Sequence, residues 1–116
     1  MIHSTADSIL IIDDAPRICA LIARTLGELP YRLLTADSVR TGKESLVQIN
    51  RFRLMVIDLG LPDGNGLEIV DAARRLRPDI PILLMSGYDV AGVNVDFILK
   101  PFDPEKLLDR VRLMAK

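Results

Sequence analysis

The chain has 116 residues, of which 49% are hydrophobic and 27% charged, so it is long enough for one globular domain and too apolar for a disordered chain. Its formal net charge is −1, which argues against direct binding of nucleic acid by this domain, because such domains usually carry a large basic excess. The single cysteine, Cys19, excludes an internal disulfide or a thiolate metal cluster and favours the reducing cytoplasm.

The chain begins with residues 1–7, which we expect to form a frayed tail. This segment lacks the basic stretch and apolar run of a signal peptide. The longest apolar runs, such as residues 80–85, are too short to cross a bilayer. The sequence therefore predicts a cytoplasmic protein that does not bind membranes.

Apolar runs and helical patterns then alternate along the chain. Short, nearly continuous apolar runs predict strands covered on both faces, and amphipathic stretches with capping residues predict helices. In chain order the predicted elements are strand 8–13, helix 17–26, a more polar edge strand 31–36, helix 38–49, strand 54–58, helix 65–76, strand 80–86, strand 95–100 and helix 103–115. This alternation predicts a single α/β domain over residues 1–116, with a doubly wound parallel sheet.

The stretch between the last two strands is too short for a full crossover helix. As a helix, residues 87–94 would cover about 12 Å, whereas returning past the neighbouring strand takes about 16 Å. A parallel crossover also normally uses about a dozen residues or more. We therefore expect a mostly extended or single-turn link, so that the fourth helix of the fold is shortened or missing.

Polar residues end four of the five predicted strands. Asp13 and Asp14 end the first strand, Asp58 the third, Ser86 the fourth and Lys100 the fifth. Because an open parallel sheet binds ligands beyond the carboxyl ends of its strands, we expect these side chains to share one site. Taken alone, Asp14 fits equally well as a cap for the helix that follows it.

The charges of these residues indicate what the site binds. Three carboxylates in one cleft repel each other, and one Mg²⁺ ion together with Lys100 would neutralise them. Mg²⁺, for which Mn²⁺ is an alternative, prefers carboxylate oxygens, waters and backbone carbonyls such as that of Gly60. With the charge balanced, Asp58 could attack phosphorus as a nucleophile, while the cation, Lys100 and the Ser86 hydroxyl hold the phosphoryl oxygens.

Four motifs follow one another along nearly the whole chain: DD at 13–14, IDLGLPDGNG at 57–66, MSG at 85–87 and KPF at 100–102. Together they resemble the receiver domain of response regulators in bacterial two-component signal transduction. The resemblance implies a CheY-like, flavodoxin-like fold with five parallel strands in the order 2-1-3-4-5. It also implies a cis peptide bond between Lys100 and Pro101.

The resemblance assigns roles to the polar residues. Asp58 would be the phosphoacceptor in a two-component system or phosphorelay, receiving the phosphoryl group from a histidine kinase or a histidine phosphotransfer protein. Asp13 and Asp14 would hold the Mg²⁺ ion, Ser86 would be the switch hydroxyl, and Lys100 would pair with the phosphate. Such a domain is a signalling phosphoacceptor rather than an enzyme, catalysing at most its own phosphotransfer and dephosphorylation.

Three further positions acquire expected roles from the same resemblance. Phe97 would be the aromatic residue whose rotamer follows Ser86, although a plain core aromatic is the alternative. Gly60 and Tyr88 lie two residues beyond Asp58 and Ser86, at positions expected to tune how fast the phosphoryl group is lost.

The short link is a departure from the family pattern. In the family, the fourth helix, last strand and last helix form the usual signalling and dimerisation surface. We therefore expect a monomer or weak dimer that accepts or passes on phosphate, either as a stand-alone regulator or as part of a longer protein such as a hybrid kinase.

Other functions fit the sequence less well. A phosphatase of the haloacid dehalogenase type needs its nucleophile and general acid two residues apart, whereas Asp13 and Asp14 are adjacent. A flavodoxin needs a phosphate loop rich in Ser, Thr and Gly after the first strand, where this chain has DDAPR. The main alternative is a degenerate receiver that acts as a protein-interaction module without phosphorylation.

Overall fold

The computed structural model describes residues 7–90, 92 and 94–115 and centres on a five-stranded parallel sheet. The strands of the chain are β1 Ser8–Ile12, β2 Arg32–Ala36, β3 Phe52–Asp58, β4 Gly60–Leu61, β5 Gly64–Asn65, β6 Ile82–Ser86 and β7 Asp96–Leu99. The large sheet has the order β2-β1-β3-β6-β7, and β4 and β5 form a separate antiparallel hairpin. Without that hairpin, the order is the predicted 2-1-3-4-5 arrangement, which is confirmed.

Four helices connect the strands: α1 Pro16–Leu26, α2 Val39–Gln48, α3 Gly66–Leu76 and α4 Pro104–Met114. Three of them begin at predicted capping residues. The side chains of Ser38, Asn65 and Asp103 each accept a hydrogen bond from a backbone N–H of the first helical turn, which would otherwise lack a partner.

The first helix begins differently from the prediction. Its N-cap is Ala15, which has no side-chain capping bond, and the interpretation of Asp14 as the cap is wrong. Asp13 instead accepts a hydrogen bond from the Ala15 N–H at 2.9 Å. The Asp14 side chain is exposed at the edge of the sheet, which leaves it available to a ligand.

The hydrophobic core consists of one layer on each face of the sheet. On one face, strand residues such as Leu10 and Ile57 pack with Leu46 of α2 and Ile69 of α3. On the other face, residues such as Ile11 and Val56 pack with side chains of α1 and α4. The inner strands are thus buried from both sides, which explains their continuous apolar sequences.

The last strand is less buried than its sequence predicts. β7 pairs only with β6, and both Asp96 and Leu99 are exposed. The predicted cover on both faces is found only in part, at Phe97 on one face and Ile98 on the other, while the prediction that β2 lies at an edge is confirmed.

Between β6 and β7, none of the described residues (87–90, 92, 94 and 95) lies in a helix. The predicted replacement of the fourth helix by a short link is confirmed. Val90 anchors the link in the core with 7% of its surface exposed. The Arg74 side chain of α3 donates a hydrogen bond to the Asn94 carbonyl at the far end of the link.

The expectation that residues 1–7 form a frayed tail is wrong for Asp7. Residues 1–6 of the predicted frayed tail lie outside the described residues. Asp7 is fixed in the fold, because its carbonyl accepts a hydrogen bond from the Arg32 N–H at 2.9 Å and its carboxylate pairs with Arg51 at 2.9 Å. Within the described part of the chain, no helix has the length and apolar character that a membrane span requires.

Candidate functional site

The carboxyl ends of β1, β3, β6 and β7 bring the predicted polar residues to one edge of the sheet. Asp13 and Asp14 follow β1, and Asp58 is the last residue of β3. Ser86 is the last residue of β6, and Lys100 directly follows β7. The parallel register between neighbouring strands makes these positions level with one another.

Three carboxylates form an acidic cluster at this edge. Asp13, Asp14 and Asp58 each offer an oxygen atom, and these atoms all lie within 4.8 Å of one another. Asp13 and Asp58 are buried, with 1% and 8% of their surface exposed, whereas Asp14 is open to solvent. Hard oxygen ligands with one solvent-facing member fit Mg²⁺, which binds few carboxylates and keeps several waters.

Lys100 bridges two of these carboxylates. Its Nζ lies 2.9 Å from Asp13 Oδ2 and 3.2 Å from Asp58 Oδ1, and the contact with Asp13 is a hydrogen bond. Burial alone would lower the pKa of Lys100, but the hydrogen bond and charge of Asp13, together with the charge of Asp58, raise it overall. The lysine is therefore a permanent cation in the site.

Asp58 remains electrostatically unfavourable as a carboxylate. Burial raises the pKa of Asp58 and the negative charge of Asp13 raises it further. The charge of Lys100 and hydrogen bonds from Lys100 and the Gly60 backbone N–H only partly offset this rise. An added divalent cation would relieve the remaining repulsion, which is consistent with a metal site.

Ser86 is buried at the same edge, and the Tyr88 backbone engages its hydroxyl. Ser86 Oγ donates a hydrogen bond to the Tyr88 carbonyl at 2.6 Å and lies 3.1 Å from the Tyr88 N–H. Tyr88 itself points outward, with 65% of its surface exposed. Ser86, whose hydroxyl is predicted to act as a switch, is therefore bonded to the first residues of the link to β7.

Phe97 and the Lys100–Pro101 bond lie beside this group. Phe97 pairs with Leu84 across the β6–β7 ladder and packs, half-buried, against the core layer that includes α2 and α3. The Lys100–Pro101 bond is cis, as the resemblance implies.

Two contributors to this site were not identified from the sequence. A Cβ atom on Gly66 would lie 2.2 Å from the Asp58 carbonyl oxygen, so only glycine allows α3 to begin against the Asp58 backbone. Asp63 accepts hydrogen bonds from the backbone of α2. Asp63 lies among turn formers and Gly66 near the start of the predicted helix 65–76, but neither position carried a signal for these distant contacts.

Comparison of the sequence with known proteins identifies the same family that the motifs resemble. A family model described as the response regulator receiver domain matches residues 9–112. The chain is 35% identical, over 94% of its length, to RegA of Rhodobacter capsulatus, a photosynthetic apparatus regulatory protein. It covers 62% of RegA, and so spans less than two thirds of that relative.

Solved structures agree with the sequence comparison. The BeF3-activated receiver domain of DrrB is 28% identical, with a TM-score of 0.79 over 95% of this chain and 97% of that domain. The chemotaxis response regulator CheY4 of Vibrio cholerae is 27% identical, with a TM-score of 0.82 over 95% of this chain and 99% of CheY4. The chain therefore belongs to the response regulator receiver domain family, the signalling modules of two-component systems.

Proposed function

We propose that this domain accepts a phosphoryl group on Asp58 from a phosphohistidine of a histidine kinase or histidine phosphotransfer protein. The observation that carries the proposal is the position of Lys100, whose ammonium group bridges Asp13 and Asp58 inside a cluster of three carboxylates. A charge arrangement of this kind favours a dianionic phosphoryl group at Asp58 once a divalent cation is also present.

In the proposed reaction, an Asp58 carboxylate oxygen attacks phosphorus and forms an acyl-phosphate bond. The bond between phosphorus and the donor imidazole nitrogen breaks, and that nitrogen keeps the electron pair. Lys100 contributes a positive charge to the phosphoryl oxygens, as the preorganised cations of phosphoryl-transfer sites do. Its two carboxylate contacts hold its position before the donor arrives.

Asp13, Asp14, Asp58 and the carbonyl of Gly60 would hold Mg²⁺ or Mn²⁺. The bound ion supplies positive charge to the phosphoryl oxygens and offsets the repulsion among the carboxylates. The exposed side chain of Asp14 lies where solvent and a ligand can reach the cluster.

Ser86 and Phe97 would report the modification to the surface. For the Ser86 hydroxyl to bond a phosphoryl oxygen, it must release the Tyr88 carbonyl that it now contacts at 2.6 Å. That release frees the first residues of the link. Leu84, two residues before Ser86, is the partner of half-buried Phe97 in the sheet. The exposed position of Tyr88, like that of Gly60, supports a role in tuning dephosphorylation.

The setting of this reaction is also part of the proposal. Residues 1–116 act as one receiver unit in the cytoplasm, as a monomer or weak dimer that does not itself bind nucleic acid. The unit is a phosphoacceptor and not an enzyme with a separate substrate. The near-neutral charge of the chain and its match to receiver domains support this assignment.

One experiment tests the central proposal. The protein is incubated with Mg²⁺ and acetyl phosphate and examined by intact-mass spectrometry. We expect the mass gain of one phosphoryl group, its loss on alkaline treatment, and no gain in Asp58→Asn. Asp71→Asn, which removes an exposed carboxylate of α3, serves as the control and should be modified like the unaltered protein. A folded, unaltered protein that gains no mass would favour the interaction module without phosphorylation.

A further inference from the structure

The loop that follows Asp58 is fastened to the start of α2 through Asp63. Asp63 Oδ1 accepts a hydrogen bond from the Val39 N–H at 2.7 Å, and Oδ2 accepts one from the Arg40 N–H at 3.0 Å. We call this pair of contacts the Asp63 clasp. We propose that Asp63 is a positioning residue, which holds the hairpin after Asp58 in the geometry that the metal and phosphoryl site requires. This inference rests on the function proposed above.

The clasp does more than cap a helix. Ser38 already caps α2, because its Oγ accepts a hydrogen bond from the Thr41 N–H at 3.0 Å. Asp63 binds the first two N–H groups of the helix, which the Ser38 side chain does not reach. A second capping group from a loop more than twenty residues away joins two elements that flank the site.

The hairpin connects the clasp to Asp58. Gly60 pairs with Asn65 and Leu61 pairs with Gly64, which places Asp63 in the turn at the tip. The base of the hairpin is fixed by the Leu59 N–H to the Met85 carbonyl at 2.9 Å. At this base, the Gly60 backbone N–H also acts on the Asp58 carboxylate and lowers its pKa, although burial and the charge of Asp13 raise it overall.

The base and tip together determine the orientation of Gly60. The buried side chain of Leu61 holds the middle of the hairpin in the core, and the clasp adds a contact between its tip and α2. Gly60 lies two residues after Asp58 at the start of the hairpin, and its carbonyl is the proposed fourth ligand of the cation. Asp63 therefore acts on the site through the Gly60 backbone, as the outer partners of metal ligands do.

The charge of Asp63 suits this role. The N–H of Arg40, followed by that of Val39, lowers the pKa of Asp63, so the carboxylate is ionised at neutral pH. An ionised carboxylate at a helix N-terminus also interacts favourably with the positive end of the helix dipole.

The first test removes the acceptor. Mg²⁺ affinity is measured by isothermal titration calorimetry, and the phosphorylation rate with acetyl phosphate is measured at saturating Mg²⁺. Asp63→Ala is expected to raise the Kd for Mg²⁺ about fivefold, less than the tenfold or more that follows loss of a direct outer-shell partner. Asp63→Asn keeps one acceptor oxygen and should give a smaller increase. An unchanged Kd in Asp63→Ala would overturn the inference.

The second test removes a donor without changing the loop. Arg40→Ala and Arg40→Pro carry the same charge, but only the proline lacks the N–H that binds Asp63 Oδ2. Proline is tolerated in the first turn of a helix, and circular dichroism checks that α2 persists. We expect weaker Mg²⁺ binding in Arg40→Pro than in Arg40→Ala. Equal affinities in these two variants would contradict the positioning role, because electrostatics is matched between them.

The outcomes separate this inference from the proposed function. If the unaltered protein binds Mg²⁺ and takes up phosphate but the Asp63 and Arg40 variants behave like their controls, only the positioning role fails. If the unaltered protein neither binds Mg²⁺ nor takes up phosphate, the proposed function fails and the inference fails with it.

Discussion

At Asp58, the arrangement that would serve phosphotransfer has a cost in stability. Burial and the neighbouring charge of Asp13 raise the pKa of Asp58, so the ionised form is disfavoured in the folded chain. Asp63 and Gly66, by contrast, stabilise the backbone around it. The site thus combines a carboxylate that is unfavourable when ionised with a backbone that is closely packed around it.

This cost predicts how stability depends on pH. Between the ordinary pKa of an aspartate and the raised pKa of Asp58, the folded chain binds more protons than the unfolded chain, so this residue lowers the stability as the pH rises through that interval. Without Mg²⁺, Asp58→Asn should therefore have a Tm a few degrees above that of the unaltered protein at pH 7. The difference should shrink at acidic pH, where Asp58 is protonated.

Thermal unfolding with and without Mg²⁺ checks this expectation. Mg²⁺ should raise the Tm of the unaltered protein more than that of Asp58→Asn, because the variant has lost one ligand. Asp71→Asn, altered at an exposed position, should show no comparable gap. A lower Tm for Asp58→Asn at pH 7 without Mg²⁺ would show that the ion pair with Lys100 outweighs the burial of the carboxylate.

The residues of the site were predictable to different extents. Asp13, Asp58 and Lys100 were identified because each polar residue ended or followed an apolar strand, and parallel strands bring such ends together. Asp63 was not identified, since its partners are backbone N–H groups whose presence does not depend on any particular side chain. Gly66 was missed for a similar reason: the close approach to Asp58 is a property of the folded backbone.

At the scale of elements, the carboxyl ends of α2 and α3 are joined by one side chain. The guanidinium of Arg77 donates hydrogen bonds to the Asn50 and Leu46 carbonyls, each at 3.2 Å, and also to the Ile49 carbonyl. It also stacks over the Phe52 ring, 4.8 Å from the centroid. Arg77 therefore satisfies carbonyl groups that the end of α2 leaves without a helical partner.

A substitution tests this connection. Arg77→Ala should lower the free energy of unfolding by about 1–2 kcal/mol, through lost charged hydrogen bonds and the lost cation–π contact. Arg75→Ala, an exposed arginine two residues earlier, should change it by less than about 0.5 kcal/mol. Urea unfolding of both variants makes the comparison. Equal losses for the two would indicate that the Arg77 contacts contribute no more than a solvated side chain.

Local sequence patterns predicted most boundaries of the helices and strands, but they did not always predict how deeply a strand is buried. The capping residues Ser38, Asn65 and Asp103 correctly marked helix starts, because capping depends on neighbouring residues only. The exposure of β7 was missed because an apolar run does not reveal whether a helix covers it. Whether a helix covers β7 depends on the length of the link before it. The link length therefore predicted the exposure of β7 better than its apolar sequence did.

At the scale of the whole molecule, the strand order was predictable because the alternation of strands and helices leaves few permitted topologies. The family resemblance supplied the specific order, and the structure confirms it. The oligomeric state does not follow from topology alone. It depends on the surface formed by β7, α4 and the link, where Leu99 is 49% exposed.

The shape of this surface predicts weak self-association. A stable interface buries about 1,200–2,000 Å² in total, and the described residues of the link beside β7 form no helix that would extend this face. Sedimentation velocity should show a monomer, or a dimer only at high concentration, both with and without beryllofluoride and Mg²⁺. A tight dimer induced by beryllofluoride and abolished by Leu99→Asp would contradict this prediction.

The link between β6 and β7, whose described residues form no helix, has a consequence for how such domains diversify. An inner strand such as β3 has neighbours on both sides and apolar packing on both faces, so losing a covering helix there would expose the core. β7, at the margin, keeps its pairing with β6 whatever lies above it. Insertions and deletions in the link before β7 therefore leave the pairing of the inner strands and the acidic cluster at their ends in place.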